Sequence, residues 1–120
     1  MQDIGKKYLD GMCRRDIGCI ASVLTEASTV VMLDGRVYKG GTEILDMHEK
    51  WFGDSDWSIS YEVDTKYETE STYHALVKIQ YLDKNMEGNP YQIQYYLFLL
   101  FGKDGEAWTL LHDQNTLIRE

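Results

Sequence analysis

The distribution of apolar residues divides the chain into a helical first third and a strand-rich remainder. Residues 2–14 carry a stripe of apolar side chains at helical spacing, which comprises Ile4, Tyr8, Leu9 and Met12. The polar segment RRD follows, and Asp16 is suited to cap a second, short helix that ends near Thr25. The pattern therefore predicts two consecutive amphipathic helices.

A short hairpin and a third helix follow. The segment STVVML predicts a strand, DGR predicts a turn, and VYK predicts a short returning strand. Gly40 and Gly41 release the chain into a helix that begins at Thr42 and stops before GDSD. One side of this helix carries Ile44, Met47, His48 and Trp51.

Beyond residue 56 the chain alternates between apolar and polar positions with a period of two. The four segments with this pattern are WSISYEVDTKYE, YHALVKIQYL, PYQIQYYLFLLF and AWTLLHDQNTLIR. The turn sequences ETES, DKNMEGN and GKDGE between them are short enough for antiparallel hairpins. Helices followed by a meander predict an α+β fold, with the helices packed on one face of a curved antiparallel sheet.

The third of these long strands is apolar on both faces. One face carries Ile93, Tyr95, Leu97 and Leu99, and the other carries Tyr96, Phe98 and Leu100. A sheet covered by helices on one side only should present polar residues on its other side. A second copy of the chain is the simplest cover, so the pattern predicts a homodimer through the sheet face.

Composition and charge narrow the classes of partner. A chain of 120 residues is expected to form a single domain spanning residues 1–120. Its 20 acidic residues outnumber its 12 basic ones, and the formal charge of −8 disfavours nucleic acid and anionic membrane partners. No signal-peptide pattern and no apolar window of roughly 20 residues is present, which predicts a soluble, cytoplasmic protein.

Cysteine and histidine spacing give no metal site. Cys13 and Cys19 match neither a CxxC redox pair nor a zinc knuckle, and we expect two reduced, packed thiols. The segment HEKWF begins like the zinc motif HExxH, but Phe52 stands where the second ligand should be. The sequence therefore predicts neither a metal nor another cofactor.

Three segments in order along the chain resemble a known superfamily. They are YLDGMCRRDIGCIASVLTEASTVV, DGRVYKGGTEI and DGEAWTLLHDQNT, and the resemblance that they carry runs over nearly the whole length of the chain. They are similar to nuclear transport factor 2-like domains of the SnoaL-like kind, a superfamily that includes ketosteroid isomerases and polyketide cyclases. The resemblance implies a cone-shaped curved sheet with three N-terminal helices packed on its concave face. It also implies a hydrophobic pocket at the open end, and many members dimerise through the sheet.

The resemblance also orients the last strand. It places Leu110 and Gln114 at pocket-lining positions. Strict alternation along the strand then predicts that His112 faces inward, whereas Asp113 and Asn115 face outward.

The residues match a ketosteroid isomerase only in part. By resemblance, Tyr8 falls at the oxyanion-hole tyrosine, but Met32 occupies the position of the catalytic base and Leu97 roughly that of the second acid. Because loss of a general base typically costs a factor of about 10² to 10⁴, that mechanism is disfavoured. Tyr8 also fits a core tyrosine whose hydroxyl is hydrogen-bonded.

His112 is the remaining candidate for proton transfer, because histidine titrates near neutral pH. Gln114 could orient its ring or a bound carbonyl; alternatively, the two side chains hydrogen-bond each other, a helix end or water. Candidate ligand-binding residues, whose aromatic members are equally compatible with a plain core, are Gln114, Leu110, Met32, Trp51, Tyr61 and Tyr95.

Two functions of different class fit these residues. The first, which we favour at this stage, is a protein that binds a small, mostly apolar molecule in the conical pocket of a homodimer and anchors its polar end on His112, Gln114 and Tyr8. The second is an enzyme of the isomerase, cyclase or dehydratase type, in which His112 moves a proton on a carbonyl-bearing substrate. A pure oligomerisation module is a third possibility.

Overall fold

The computed structural model describes residues 3–119 and has the predicted order of elements. Residue 2, where the first helix is predicted to begin, lies outside the described residues. The helices are α1 (Ile4–Cys13), α2 (Ile17–Ala21) and α3 (Gly41–Phe52). The strands are β1 (Thr29–Val31), β2 (Val37–Lys39), β3 (Ser58–Glu68), β4 (Thr72–Lys84), β5 (Pro90–Asp104) and β6 (Ala107–Leu117).

Aspartate side chains fix where the first two helices begin. Asp3 Oδ1 accepts a hydrogen bond from the backbone N–H of Lys6 at 3.0 Å, and Asp16 Oδ1 accepts one from Cys19 at 3.2 Å. Each bond satisfies a backbone donor that a helix start otherwise leaves unpaired. The predicted cap at Asp16 is confirmed, whereas α2 ends earlier than predicted, at Ala21.

The sheet is open and has the strand order β2-β1-β6-β5-β4-β3. Five strand pairs hold it together, and four of them are antiparallel, as the sequence predicts. The exception is β1, which lies parallel to β6, with Val30 opposite Asp113. The short hairpin β1–β2 thus extends the sheet beyond the last strand of the meander.

Two β-bulges bend the long strands. One lies between Val63 and Thr65 in β3. In the other, Leu100 of β5 pairs with His112 and Phe101 pairs with Leu110, which leaves Leu111 of β6 as an extra residue. A bulge bends its strand and increases the local twist. The sheet therefore curves, and the predicted α+β fold with helices on a curved sheet is confirmed.

The hydrophobic core lies between the helices and the concave face of the sheet. In it, the predicted stripe of α1 packs against alternate residues of β4, β5 and β6. Tyr8 meets Phe101 edge to face, with ring centroids 5.7 Å apart. Among residues 3–119, no helix is both long enough and apolar enough to cross a membrane.

The contact between α1 and β4 depends on a glycine, which gives a first prediction. A Cβ atom at Gly5 would lie 2.5 Å from the hydroxyl oxygen of Tyr73, a fully buried ring. The substitution Gly5→Ala should therefore displace that ring and lower the free energy of unfolding by about 1–3 kcal/mol, measured by urea denaturation.

Gly18 provides a matched control, because it is the second residue of α2 as Gly5 is of α1. A Cβ at Gly18 would meet Asp16 Oδ1 at an ordinary 3.5 Å. Gly18→Ala should be neutral or stabilising by up to about 1 kcal/mol, since alanine favours the helix. Equal stability of the Gly5→Ala variant and the native chain would contradict the packing described.

Candidate functional site

The bulge at Leu111 turns Asp113 into the interior. Because one residue is extra, Leu110 before the bulge and Asp113 after it both face the concave side, where they are 0% and 3% exposed. The prediction that Asp113 and Asn115 face outward is therefore wrong. Strict alternation along the strand does not account for the inserted residue.

His112 and Gln114 lie on the opposite, outer face of the sheet. His112 pairs with Leu100 and Gln114 pairs with Phe98, whose side chains point away from the core. The prediction that both residues face the pocket is wrong, for the same reason. The alternative is confirmed, since His112 Nε2 lies 2.9 Å from Gln114 Oε1.

Two side chains hold the Asp113 carboxyl group in place. The hydroxyl of Tyr8 donates to Asp113 Oδ2 at 3.0 Å, and Asn115 Nδ2 donates to Oδ1 at 3.0 Å. Asn115 Nδ2 also donates to the backbone carbonyl of Val31 at 2.8 Å, which ties the group to β1. Each carboxyl oxygen thus has a fixed donor, and the rotamer of Asp113 is set.

Burial dominates the proton affinity of this group. It raises the pKa of Asp113 to about 6, although the hydrogen bonds from Tyr8 and Asn115 oppose the rise. Burial, together with the negative charge of Asp113, raises the pKa of Tyr8 well above its ordinary value, so this hydroxyl remains a donor. A carboxyl group with such a pKa can take up and release a proton near neutral pH.

A cavity of about 590 Å³ opens beside Asp113. Its wall is formed by the concave face of the sheet, the hairpin β1–β2 and α3. A cavity of this size suits a small organic molecule. The mostly apolar and aromatic part of the wall consists of Met12, Val30, Met32, Leu33, Tyr38, Met47, Trp51, Tyr81, Ile93, Tyr95 and Leu97.

Stacked aromatic rings make one side of the wall rigid. Trp51 stacks on Trp57 with ring centroids 4.1 Å apart, and Trp57 Nε1 donates to the backbone carbonyl of Trp51 at 2.8 Å. The guanidinium group of Arg15 covers the Trp57 ring at 3.9 Å. Tyr81 lies nearly parallel to Trp57 at 6.4 Å. Trp51 and Tyr81 thus present a supported aromatic surface to the cavity.

Tyr95 supplies an uncommitted donor. It lines the cavity next to Leu97, and its hydroxyl makes no hydrogen bond to any residue between 3 and 119. Burial raises the pKa of Tyr95, and the charge of Asp113 raises it further, so the hydroxyl keeps its proton. The cavity therefore combines a carboxyl acceptor with a free phenolic donor.

The remaining predicted residues divide between cavity and core. Met32, Trp51 and Tyr95 line the cavity, and their binding of a ligand stays a prediction. Leu110 belongs to the core, and Tyr61 donates to Asp10 Oδ1 at 2.6 Å where β3 meets α1. These two are not among the cavity-lining residues, so placing them in the pocket was wrong.

Sequence reasoning missed Asp113, Asn115 and His48 as cavity residues. The bulge that turns the first two inward left one signal: two large residues, Leu110 and Leu111, are adjacent, and the neighbouring strand carries a glycine, Gly102, beside them. A Cβ at Gly102 would lie only 2.9 Å from Leu111 Cδ1, so the glycine makes room for the extra residue. For His48 the signal was its place among the apolar residues on one side of α3.

No metal centre is formed by the residues that the structure describes, since no three histidine, cysteine, aspartate or glutamate side chains among them come together.

Comparisons with known proteins agree on the fold. No protein-family model and no curated protein matches the chain. A ketosteroid isomerase-like protein from Erwinia carotovora atroseptica has a TM-score of 0.81 at 15% identity, covering 98% of this chain and 92% of its own. A protein from Streptomyces avermitilis of the nuclear transport factor 2-like family, proposed to be a dehydratase, has a TM-score of 0.78 at 14% identity, covering 98% and 93%.

A third structure extends this agreement to a protein without a known activity. A domain of unknown function with a cystatin-like fold from Nostoc punctiforme has a TM-score of 0.78 at 19% identity, covering 98% of this chain and 74% of its own. At these identities the likeness concerns architecture and not chemistry. The chain therefore has the cystatin-like fold of nuclear transport factor 2-like proteins, as its sequence predicts.

Proposed function

We propose that the chain is an enzyme of the isomerase, cyclase or dehydratase type that moves a proton on a small, mostly apolar, carbonyl-bearing molecule, with Asp113 as the base. One observation carries the proposal: a buried carboxyl group with a raised pKa lies on the wall of a large, mostly apolar cavity. The shared fold of a ketosteroid isomerase-like protein and a proposed dehydratase supports this class.

The proposed step is removal of a proton from the carbon next to the substrate carbonyl. Asp113 takes the proton, and the electron pair of the broken C–H bond forms a carbon–carbon double bond while the carbonyl electrons move onto oxygen. The free hydroxyl of Tyr95 donates a hydrogen bond to that enolate oxygen. The proton then returns from Asp113 to the same carbon or to another carbon of the substrate, which regenerates the carboxylate and completes the reaction.

Binding without turnover is a second candidate, and one observation favours it. Both Asp113 oxygens already accept hydrogen bonds, and the Tyr8 hydroxyl is directed at Asp113 and not at the cavity. These bonds lower the basicity of the carboxylate. In a binding protein Asp113 would instead anchor a donor group of the ligand.

The proposal includes a homodimer formed through the outer face of the sheet. The helices cover only the concave face, and the outer side chains of β5, Tyr96, Phe98 and Leu100, are half-buried within the single chain. An apolar strip at the centre of a sheet is suited to pack against its own copy across a two-fold axis.

Replacement of the base gives the first functional prediction. In deuterium oxide, the native protein should catalyse exchange of the hydrogens between the ring and carbonyl of 2-tetralone, an uncharged enolisable ketone. The exchange rate should rise with pH up to about 6 and then level, because Asp113 must be ionised. Asp113→Asn should lower the rate by about 10² or more, measured by proton NMR.

Two variants test whether the effect is specific. Tyr95→Phe should slow exchange by about 10² through loss of the oxygen donor, with the pH limb retained. His112→Asn, on the outer face, should leave the rate on the plateau unchanged. It should shift the pH limb only upward, because the charge of His112 lowers the pKa of Asp113. If exchange is equally fast with the native protein and with Asp113→Asn, Asp113 is not the base.

The raised pKa of Asp113 also predicts a pH-dependent stability difference. At pH 7.5 the buried group is ionised in the folded state and costs stability, whereas between about pH 6 and 4 only the folded state takes up the proton and the cost disappears. Asp113→Asn should thus be more stable than the native chain at pH 7.5, by on the order of 1–3 kcal/mol.

This difference should shrink towards zero near pH 4. Other carboxyl groups do not affect the comparison, because both proteins contain them. In Asp3, for example, burial raises the pKa, but the hydrogen bonds to Lys66 and Tyr73 outweigh burial and lower it to about 2. Urea denaturation between pH 4 and 7.5 measures the difference in stability between the two proteins. A variant less stable than the native chain at pH 7.5 would show that ionised Asp113 stabilises the fold.

The homodimer is tested at the centre of the outer face. The native protein should sediment as a dimer, and Phe98→Lys should sediment as a folded monomer, because a buried, unpaired ammonium group opposes association. Met86→Lys, in a turn where the side chain is 105% exposed, is the control and should remain dimeric. A monomeric native protein would refute this interface.

A further inference from the structure

His48 is a buried polar side chain on the cavity wall that the proposed reaction does not use. It lies on α3 and is 2% exposed. Its Nδ1 is 2.9 Å from the backbone carbonyl oxygen of Ile44. Because a carbonyl can only accept a hydrogen bond, Nδ1 carries the proton of the neutral ring, and Nε2 is left as an acceptor.

The ring is held in one orientation. Trp51 and Phe52 meet it edge to face, with ring centroids 6.0 Å and 5.7 Å away, and the bond to Ile44 fixes the third side. Burial lowers the pKa of His48, although the bond to Ile44 opposes this, so the ring is neutral near pH 7. Nε2 is thus a positioned, uncharged acceptor.

Nε2 is not fully enclosed. It has no hydrogen-bond partner among residues 3–119, whereas every fully enclosed side-chain nitrogen or oxygen of these residues has one. Because His48 is among the residues that line the cavity, we assign the exposed part of Nε2 to the cavity. A ligand that displaces water from it without supplying a donor would leave the acceptor unsatisfied, which weakens binding.

Charge on the wall narrows the kind of donor. Asp34 pairs with Arg36 at 2.8 Å and Asp46 approaches Lys50 at 3.7 Å, which leaves the acidic groups Glu43 and Asp113 without a basic partner among residues 3–119. Together with the formal charge of −8, this excess disfavours a carboxylate or phosphate on the ligand. A cationic donor would be attracted to ionised Asp113 and would lower its basicity, whereas an uncharged hydroxyl group satisfies Nε2 and leaves the base unchanged.

We propose that His48 Nε2 accepts a hydrogen bond from a hydroxyl group of the substrate, so that the substrate carries a hydroxyl on its apolar body in addition to its carbonyl. This inference rests on the proposed function, since both concern the same cavity. It specifies the substrate class as an uncharged hydroxy-ketone. Asp113 acts at one end of this molecule, and His48 recognises the other.

Two ketones that differ in one donor test the inference. The hydroxyl group of 6-hydroxy-2-tetralone can donate, whereas 6-methoxy-2-tetralone has the same ring system and cannot. The native protein should bind the hydroxy compound about tenfold more tightly, measured by calorimetry. His48→Phe should abolish this preference, and His74→Phe, on the outer face, should retain it. An unchanged preference in His48→Phe would overturn the inference.

A second measurement avoids any change to the core. In native protein with ¹⁵N-labelled histidine, the resonance of the unprotonated His48 nitrogen should move towards the protonated range on binding the hydroxy compound and stay in place with the methoxy compound. The same shift with both compounds, or with neither, would overturn the inference even if His48→Phe fails to fold.

The variant Asp113→Asn separates this inference from the proposed function. It should abolish ketone exchange while retaining the hydroxyl preference and the His48 shift. Preference without exchange in the native protein would refute the catalytic proposal alone. Exchange without preference would refute the role of His48 alone.

Discussion

The carboxyl group of Asp113 is held inside an apolar interior by one donor from the first helix and one from its own strand. Tyr8 reaches it from α1, and Asn115 links it to the carbonyl of Val31 in β1. Removing a carboxylate from water costs several kcal/mol, which hydrogen bonds offset only in part. Hydrogen bonds at one buried acid therefore link the helix, the hairpin and the last strand, and a change in the position of any of them alters its proton affinity.

This arrangement has the features of a site that sacrifices stability for chemistry. An asparagine would carry no buried charge. Its amide oxygen would accept one of the two hydrogen bonds, and its amide nitrogen would donate to the Tyr8 hydroxyl. The aromatic wall shows the opposite design, because Trp51, Trp57 and Arg15 support one another and form a rigid surface. Under the proposed function, this rigid wall would orient the ligand against Asp113.

The fold was accessible from the sequence because its signals are local and repeated. Helical spacing in α1, the cap at Asp16 and alternation along β4 and β5 each specify an element without reference to the rest of the chain. The two apolar faces of β5 likewise follow from alternation alone. The parallel pairing of β1 with β6 did not, since it joins segments distant in sequence.

The site was less accessible, because it depends on a single inserted residue. The cavity position of Met32 could be anticipated from the family resemblance, and those of Trp51 and Tyr95 from their aromatic side chains, but the identity of the inward acid could not. Alternation fails at Leu111, and its failure exchanges His112 for Asp113. Gly102, which makes room for the Leu111 side chain, lies on the neighbouring strand. Only the pairing of the two strands brings these residues together, so the sequence alone does not show that they are neighbours.

The same bulge has an evolutionary consequence. Loss of the Leu111 codon would remove the extra residue, so that Leu110, His112 and Asp113 alternate regularly and the carboxylate of Asp113 still faces the cavity. Such a deletion would remove the bend at the bulge without changing which of the following residues point inward. Length variation at this point is therefore a route by which descendants of such a scaffold change the curvature of the sheet while they keep the same buried acid.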